Sequence, residues 1–548
     1  MMKKRISTVL VLMMIASSLF GCGKATKDES RSDRYTATSD GKAAGQTSES
    51  YYDTNQVYTE SENSAWDQPK ADGMLADEDF NTEEYNSIIE NGFKSVSNYP
   101  VSTFSADVDT ASYSNIRRML NTGSTIDPGA VRIEEMINYF SYDYATPEGE
   151  HPFAITRELS TCPWNEDTKL MLVGIQTDKI NFSQSPASNL VFLIDVSGSM
   201  YDSDKLPLVQ KAFTMLTENL SQKDKISIVV YAGSDAVILD GANGMEKERI
   251  ITAIEQLEAG GSTAGSKGIE TAYAIAEKNF IQGGNNRVIL ATDGDLNVGI
   301  TSESELTDLI SKKKESGVYL SVLGFGTGNY KDNKMEALAD KGNGNYAYID
   351  TLLEARKVLV EEMGATLLTV AKDVKFQVEF NPSTVKGYRL IGYENRLLAT
   401  EDFNDDSKDA GEVGAGHSVT VLYEIALSDS KLEIPTTQLK YQDQVSKMED
   451  GELLTVSIRY KKPAESTSIL MSEVVTSQDF TTEIPKNLKF AAAVAEFGML
   501  LRDSKFKGSS SYSEIQRLLA YEDFSQDEYR KEFLQLVQIA DGMIMYVE

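Results

Sequence analysis

The chain has 548 residues, enough at roughly 150 per domain for three or four domains with cores of their own. It carries 53 Lys and Arg against 84 Asp and Glu, a formal net charge of −31, a balance that argues against nucleic-acid binding, which needs clustered Lys and Arg. Two cysteines, Cys22 and Cys162, and two histidines, His151 and His417, leave no material for a disulfide framework or a thiolate zinc site and almost none for a Ser/His triad.

The N-terminus reads as an address followed by a tether. Lys3, Lys4 and Arg5 precede an apolar run from Ile6 to Leu19, shorter than the about 20 residues that span a bilayer and suited to a signal-peptide core. The run ends in Leu19-Phe20-Gly21-Cys22, which resembles the lipobox of bacterial lipoproteins. That resemblance implies removal of residues 1–21, acylation of Cys22, and a chain held outside the cytoplasm on a membrane by its lipid alone. The alternative is a plain secretory peptide with an incidental cysteine. Residues 22–80 are polar, rich in Ser, Thr, Asp, Glu and Gly, and cannot bury enough apolar surface to offset ordering entropy; a disordered stalk is expected. Cys162 is expected to be a small buried hydrophobe.

In an N-terminal flank, 81–185, apolar spacing predicts helices over Ser112–Leu120 and Ala130–Phe140. A central domain, 186–365, opens with Asn189–Asp195 (NLVFLID), an apolar run ending in an acid, as a parallel strand buried on both faces requires. Helical spacing follows from Leu206, with Ser203 and Asp204 as offered caps. The alternation continues through strands Ile226–Tyr231 and Ala236–Leu239, helices Lys247–Leu257 and Ser266–Phe280, and strand Arg287–Asp293. It closes with helix Ser302–Glu315, strand Val318–Phe325, a helix at Met335–Lys341, strand Tyr346–Ile349 and a last helix over Leu352–Leu368. Such repetition predicts an α/β fold with a doubly wound, mainly parallel, Rossmann-like sheet. Ligands of such sheets bind beyond the carboxyl ends of the strands. A C-terminal module, 366–548, shows alternating strands at Val374–Phe380, Val419–Ile425 and Leu453–Tyr460, then helices at Leu488–Leu501 and Ser513–Tyr521.

At the carboxyl ends of the central strands fall Asp195, Ser197 and Ser199 of DVSGSM, Thr263 of the glycine turn GGST, and Asp293 of TDG. All offer oxygen. Hard oxygen ligands with few charges suit Mg²⁺, with Mn²⁺ or Ca²⁺ as alternatives, and an incomplete protein shell leaves one coordination position open. The five residues, in this order, resemble the metal ion-dependent adhesion site of von Willebrand factor type A domains. The resemblance implies hydroxyl ligation by Ser197, Ser199 and Thr263, and ligation by Asp195 and Asp293 directly or through water. It also implies a protein partner whose carboxylate fills the open position. The competing reading makes Asp195 and Ser197 mere helix caps. Tyr99–Tyr144, KDVKFQVEFNPSTVKGYRLIGYENR and FAAAVAEFGMLLRD extend the resemblance to the flanks of bacterial von Willebrand factor A lipoproteins.

Two other acidic features carry less. Asp107-Val108-Asp109-Thr110 has a phosphatase-like aspartate pair, but its threonine falls one place early and no apolar strand precedes it, so a polar turn or helix cap is expected. Asp402–Glu412 is acidic like a calcium loop, yet its sixth position is Ser407 and its twelfth Val413, so a solvated loop is expected. The expected function is a non-enzymatic, metal-dependent protein-binding module. A metal-dependent hydrolase and an assembly scaffold with a structural metal are the alternatives.

Overall fold

Three sheets organise the chain in a computed structural model, which describes residues 83–544 apart from 107–108, 179–185, 262–264, 295–302, 329, 363–367, 438–450 and 464. All of these residues lie in the unit Leu75–Glu548. The strands are β1 (Lys94–Ser95), β2 (Val101–Ser105), β3 (Phe153–Thr161) and β4 (Lys169–Thr177), then β5 (Ser188–Asp195), β6 (Lys225–Tyr231) and β7 (Asp235–Asn243). There follow β8 (Asn285–Thr292), β9 (Tyr319–Phe325), β10 (Tyr346–Ile349), β11 (Thr369–Phe380) and β12 (Val385–Ile391). The last four are β13 (Gly411–Gly414), β14 (Ser418–Leu427), β15 (Glu452–Lys461) and β16 (Ile469–Thr476).

The central sheet has the order β10-β9-β8-β5-β6-β7, parallel except for the β6–β7 pair. Its middle strand β5 is apolar on both faces because both are covered. Leu190, Phe192 and Ile194 pack with the helices Leu206–Glu218 and Lys247–Glu255. Val191 and Leu193 pack on the other side with Gly265–Lys278, Glu303–Lys314 and Asp332–Lys341. Each such side chain contributes about 1.5–3 kcal/mol on burial. The expected helix over Leu352–Leu368 is shorter: it runs from Leu352 to Arg356, widens into a π-turn over Lys357–Glu361 and leaves helical geometry at Glu362. Leu368, counted as its last apolar residue, is buried at the entry to β11.

Residues on either side of the central domain share sheets. One has the order β1-β12-β14-β4-β3, so β14 pairs in register with β4 along its length, Ser418 facing Gln176 and Ile425 facing Lys169. In the other, β13-β11-β15-β16, β11 pairs with β13 through its first half and with β2 through its second, Phe376 opposite Phe104. The two sheets enclose a core in which Phe104 stacks on Phe376 at 5.1 Å. The stretches 81–185 and 366–548 therefore build one module, and the central domain is an insertion between its strands. A further core gathers Ile133–Asn138, Lys486–Leu501, Tyr512–Leu519 and Glu528–Ile544.

Three expectations change here. The helix expected over Ala130–Phe140 is interrupted: a 3₁₀ turn at Pro128–Ala130 and a helix at Ile133–Asn138 flank extended Arg132, whose guanidinium is held by Glu135 and, at 2.6 Å, by Asp332. Asp109 is a buried acceptor rather than a polar turn, taking the Tyr346 N–H at 2.9 Å and the Arg396 guanidinium at 3.1 Å. A buried strand, β2, does precede it; its hydroxyl residues Ser102, Thr103 and Ser105 masked the burial. Asp402–Glu412 is only partly solvated, because Lys375 Nζ donates to the carbonyls of Asp402 and Asp405, and Lys461 Nζ donates to that of Asp406.

The inserted domain is bolted to the module by buried charge. Arg117, fully buried on the helix Ala111–Thr122, donates to Asp350, to Glu354 at 2.8 Å, to Glu532 at 3.0 Å and to the Tyr139 hydroxyl at 2.9 Å. Every face of the guanidinium is used. Such a cluster is stable only while complete, since removing one member strands the others without water.

Candidate metal centre

Parallel strands deliver their last residues to one edge of the sheet, and β5 and β8 are neighbours there. Asp195 ends β5 and Asp293 follows β8; they are 0% and 2% exposed. Ser197, 1% exposed, and Ser199, which faces solvent, sit on the turn after β5 with their hydroxyl oxygens 2.9 Å apart. The crevice thus grades from a buried carboxylate to an open rim.

The turn is held from its backbone. Ser197 N–H donates to Asp195 Oδ1 at 2.9 Å, and Val196 N–H to the Tyr231 carbonyl of β6 at 3.0 Å. The glycine turn reaches it through two bonds, Gly198 N–H to the Gly261 carbonyl at 3.0 Å and Gly260 N–H to the Val196 carbonyl at 2.8 Å. Gly261 has φ +84, open to glycine without strain. Thr263, two residues on, lies outside the described residues, as does Cys22. The capping alternative fails for Ser197: it precedes a short 3₁₀ turn, Gly198–Tyr201, without a side-chain cap bond. The helix after it starts at Leu206, capped by neither Ser203 nor Asp204.

Burial pushes the Asp195 carboxyl up to about 6, and the neighbouring Asp293 charge adds to that rise. Hydrogen bonding from Ser197 opposes it, and Thr292 Oγ1 donates to Asp195 Oδ2 at 3.1 Å. Among the described residues, the groups that donate to this carboxylate are the Ser197 backbone N–H and the Thr292 hydroxyl. Asp293 receives a cation, Lys205 Nζ, at 3.2 Å. Carboxylates and hydroxyls converging without an imidazole or a thiolate form the donor set of a hard divalent ion, so the residues fit the metal.

Lys205, Thr292 and Tyr231 are absent from the set read from the sequence. Thr292 belongs to the TDG motif and could have been found there; Lys205 reads as an ordinary residue before a helix. A separate acidic trio, Asp373, Asp409 and Glu412, brings carboxylate oxygens within 4.8 Å of one another and could also hold a metal ion. Lysines already meet two of its members, Lys461 at Asp373 (2.7 Å) and Lys314 at Asp409 (2.8 Å). Burial, then the Asp409 and Asp373 charges, push the Glu412 carboxyl up to about 8.

The geometry agrees with comparisons to known proteins. Residues 189–362 match the von Willebrand factor type A domain, residues 79–172 a family described as von Willebrand factor, and residues 365–543 the family "Uncharacterized protein YfbK, C-terminal". The chain is 43% identical over 473 residues to "Uncharacterized protein YfbK" of Escherichia coli K12, covering 84% of this chain and 82% of that one. It is 22% identical over 263 residues to human inter-alpha-trypsin inhibitor heavy chain H3, covering 44% of this chain and 29% of that protein. Among solved structures, a von Willebrand factor type A protein from Catenulispora acidiphila aligns with 71% of the chain at 14% identity and a TM-score of 0.41. With a matching central domain and C-terminal family and 43% identity along most of both chains, this protein belongs to the YfbK family of von Willebrand factor type A proteins.

Proposed function

We propose that the protein is a lipid-anchored, extracytoplasmic binding module in which the crevice holds a divalent ion that bridges to a carboxylate on a protein partner. The observation that carries this reading is the convergence of Asp195, Ser197, Ser199 and Asp293, with a buried Asp195 carboxylate that accepts hydrogen bonds and, among the described residues, pairs with no cation. Asp195 and Asp293 would hold the ion with the two serines, and Thr263 would join them by the motif resemblance. The ion supplies a Lewis-acidic position for an incoming oxygen. Lipidation of Cys22, the residue 22–80 stalk and an extracytoplasmic location rest on the leader sequence. Among the described residues no helix is long and apolar enough to cross a membrane.

The net charge of −31 does not oppose an acidic partner, because at a Debye length of about 8 Å the field of the bound ion governs contact. A binding role fits better than hydrolysis. Water activation would need a general base at the crevice, its two carboxylates would be engaged by the ion, and both histidines lie in the flanking module, at 151 and 417. Calorimetric titration of Mg²⁺ or Mn²⁺ into the full chain and into Asp195→Ala tests the site. Saturable binding to the first alone is expected, and equal binding to both would sink the assignment. For the anchor, Cys22→Ala should abolish metabolic labelling by palmitate; retained label would refute it.

A further inference from the structure

Lys205 occupies the crevice as though built for it. Its backbone N–H donates to the Asp202 carbonyl at 3.0 Å, fixing the root of the side chain just before the helix Leu206–Glu218. The stem then crosses Gly326, which follows β9 at φ +77. A Cβ on Gly326 would lie 2.4 Å from Cε, 2.5 Å from Cγ and 2.8 Å from Cδ of Lys205, so the slot exists only because that residue is glycine. The Gly326 backbone is itself pinned, its carbonyl accepting the Tyr348 hydroxyl at 2.7 Å. At the end of this slot the ammonium donates to the Ser199 carbonyl at 3.0 Å and to Asp293 Oδ2 at 3.2 Å. The side chain is 8% exposed. A long lysine confined this closely is a fixed charge.

The charge count of the crevice follows. Among the described residues that form it, Asp195 and Asp293 bring two negative charges and Lys205 one positive, a balance of −1; a divalent ion changes it to +1. Without the lysine the same ion would bring it to zero, and an incoming carboxylate would then meet a neutral crevice. We propose that Lys205 is a specificity-determining positioning residue: a tethered cation that shares Asp293 with the metal, weakens metal affinity, and leaves the loaded crevice one positive charge for an anionic ligand to neutralise. This rests on the metal-dependent reading of the crevice. It adds a residue outside the five-residue motif and a reason why a carboxylate, rather than a neutral oxygen, completes the ion's shell.

The test is titration of Mn²⁺ into the full chain, read as loss of the free-ion electron paramagnetic resonance signal, for the unaltered protein, Lys205→Met, Lys205→Arg and Asp195→Ala. Methionine keeps the stem and removes the charge. Removing a like charge at a shared carboxylate strengthens binding of a dication by about tenfold or more, so Lys205→Met should bind Mn²⁺ that much tighter and Lys205→Arg should stay near the unaltered protein. Acetate, added to the Mn²⁺-loaded protein and followed through the relaxation of water protons at the ion, should bind several-fold more weakly to Lys205→Met. Equal or weaker Mn²⁺ binding by Lys205→Met overturns the proposal, because a lysine that only ordered the crevice would lower affinity when removed. Should Lys205→Met fail to fold, Lys205→Gln takes its place under the same criterion. Loss of binding in Asp195→Ala with no change in Lys205→Met refutes the lysine alone, whereas unchanged binding in Asp195→Ala refutes the metal site beneath it.

Discussion

Two buried charge clusters serve opposite ends. At the junction of the inserted domain with the flanking module, Arg117 meets Asp350, Glu354, Glu532 and the Tyr139 hydroxyl, so the guanidinium is fully engaged. At the crevice, Lys205 reaches Asp293 while Asp195 is met by the Thr292 hydroxyl and the Ser197 backbone N–H. Burial is similar; the supply of cations differs. A closed cluster holds two domains in register, and an open one keeps a carboxylate available for an ion from outside. Buried carboxylates without a cation are costly, so the crevice gains most from what it can recruit.

Breaking the closed cluster gives the largest effect. Arg117→Met should destabilise the chain by about 3–5 kcal/mol, since it strands buried Asp350 and Glu354 without their cation. Urea unfolding measures this, and a loss under about 1 kcal/mol would show that the junction is not a closed unit.

A carboxylate whose burial outweighs the attraction of Arg517 marks the other limit. Glu496, 1% exposed on the helix Lys486–Leu501, has its carboxyl pushed up to about 7, first by burial and then by Glu514, against the Ser510 hydroxyl and Arg517. Folding retains the neutral acid, so its contribution is complete below the ordinary glutamate value of 4.5 and is lost as pH rises through about 7. The loss amounts to about 3 kcal/mol between those limits. Glu496→Gln should remove that part of the pH dependence in a series of melts from pH 4.5 to 8, and an unaltered slope would contradict it.

A smaller change sharpens the crevice itself. Gly326→Ala imposes positive φ on alanine, at about 1–2 kcal/mol, and drives its Cβ into the Lys205 stem. The protein should remain folded by circular dichroism while its Mn²⁺ affinity moves in the direction of Lys205→Met. Unchanged affinity would mean that the lysine keeps its place without the slot.

What was legible in the sequence follows physical range. The central strands and helices could be read because each is a local pattern: NLVFLID is apolar on both faces, and the helix after it repeats at three and four residues. The acids and hydroxyls of the crevice sit within a few residues of strand ends, so motif and topology point to the same edge. The flanks were harder. β3, β4, β12 and β16 were missed, and the pairing of β4 with β14 joins segments separated by the whole inserted domain, which no local pattern reports. Lys205 was illegible for the same reason, because its role depends on the absence of a side chain at Gly326. Asp109 was hidden by hydroxyl residues that read as surface and lie in a buried strand.

The most direct test of the account is where a metal goes. Crystals of the full chain soaked in Mn²⁺ and measured for anomalous scattering should give a peak bounded by Asp195, Ser197, Ser199 and Asp293. A peak confined to Asp373, Asp409 and Glu412, the cluster already met by Lys461 and Lys314, would contradict it.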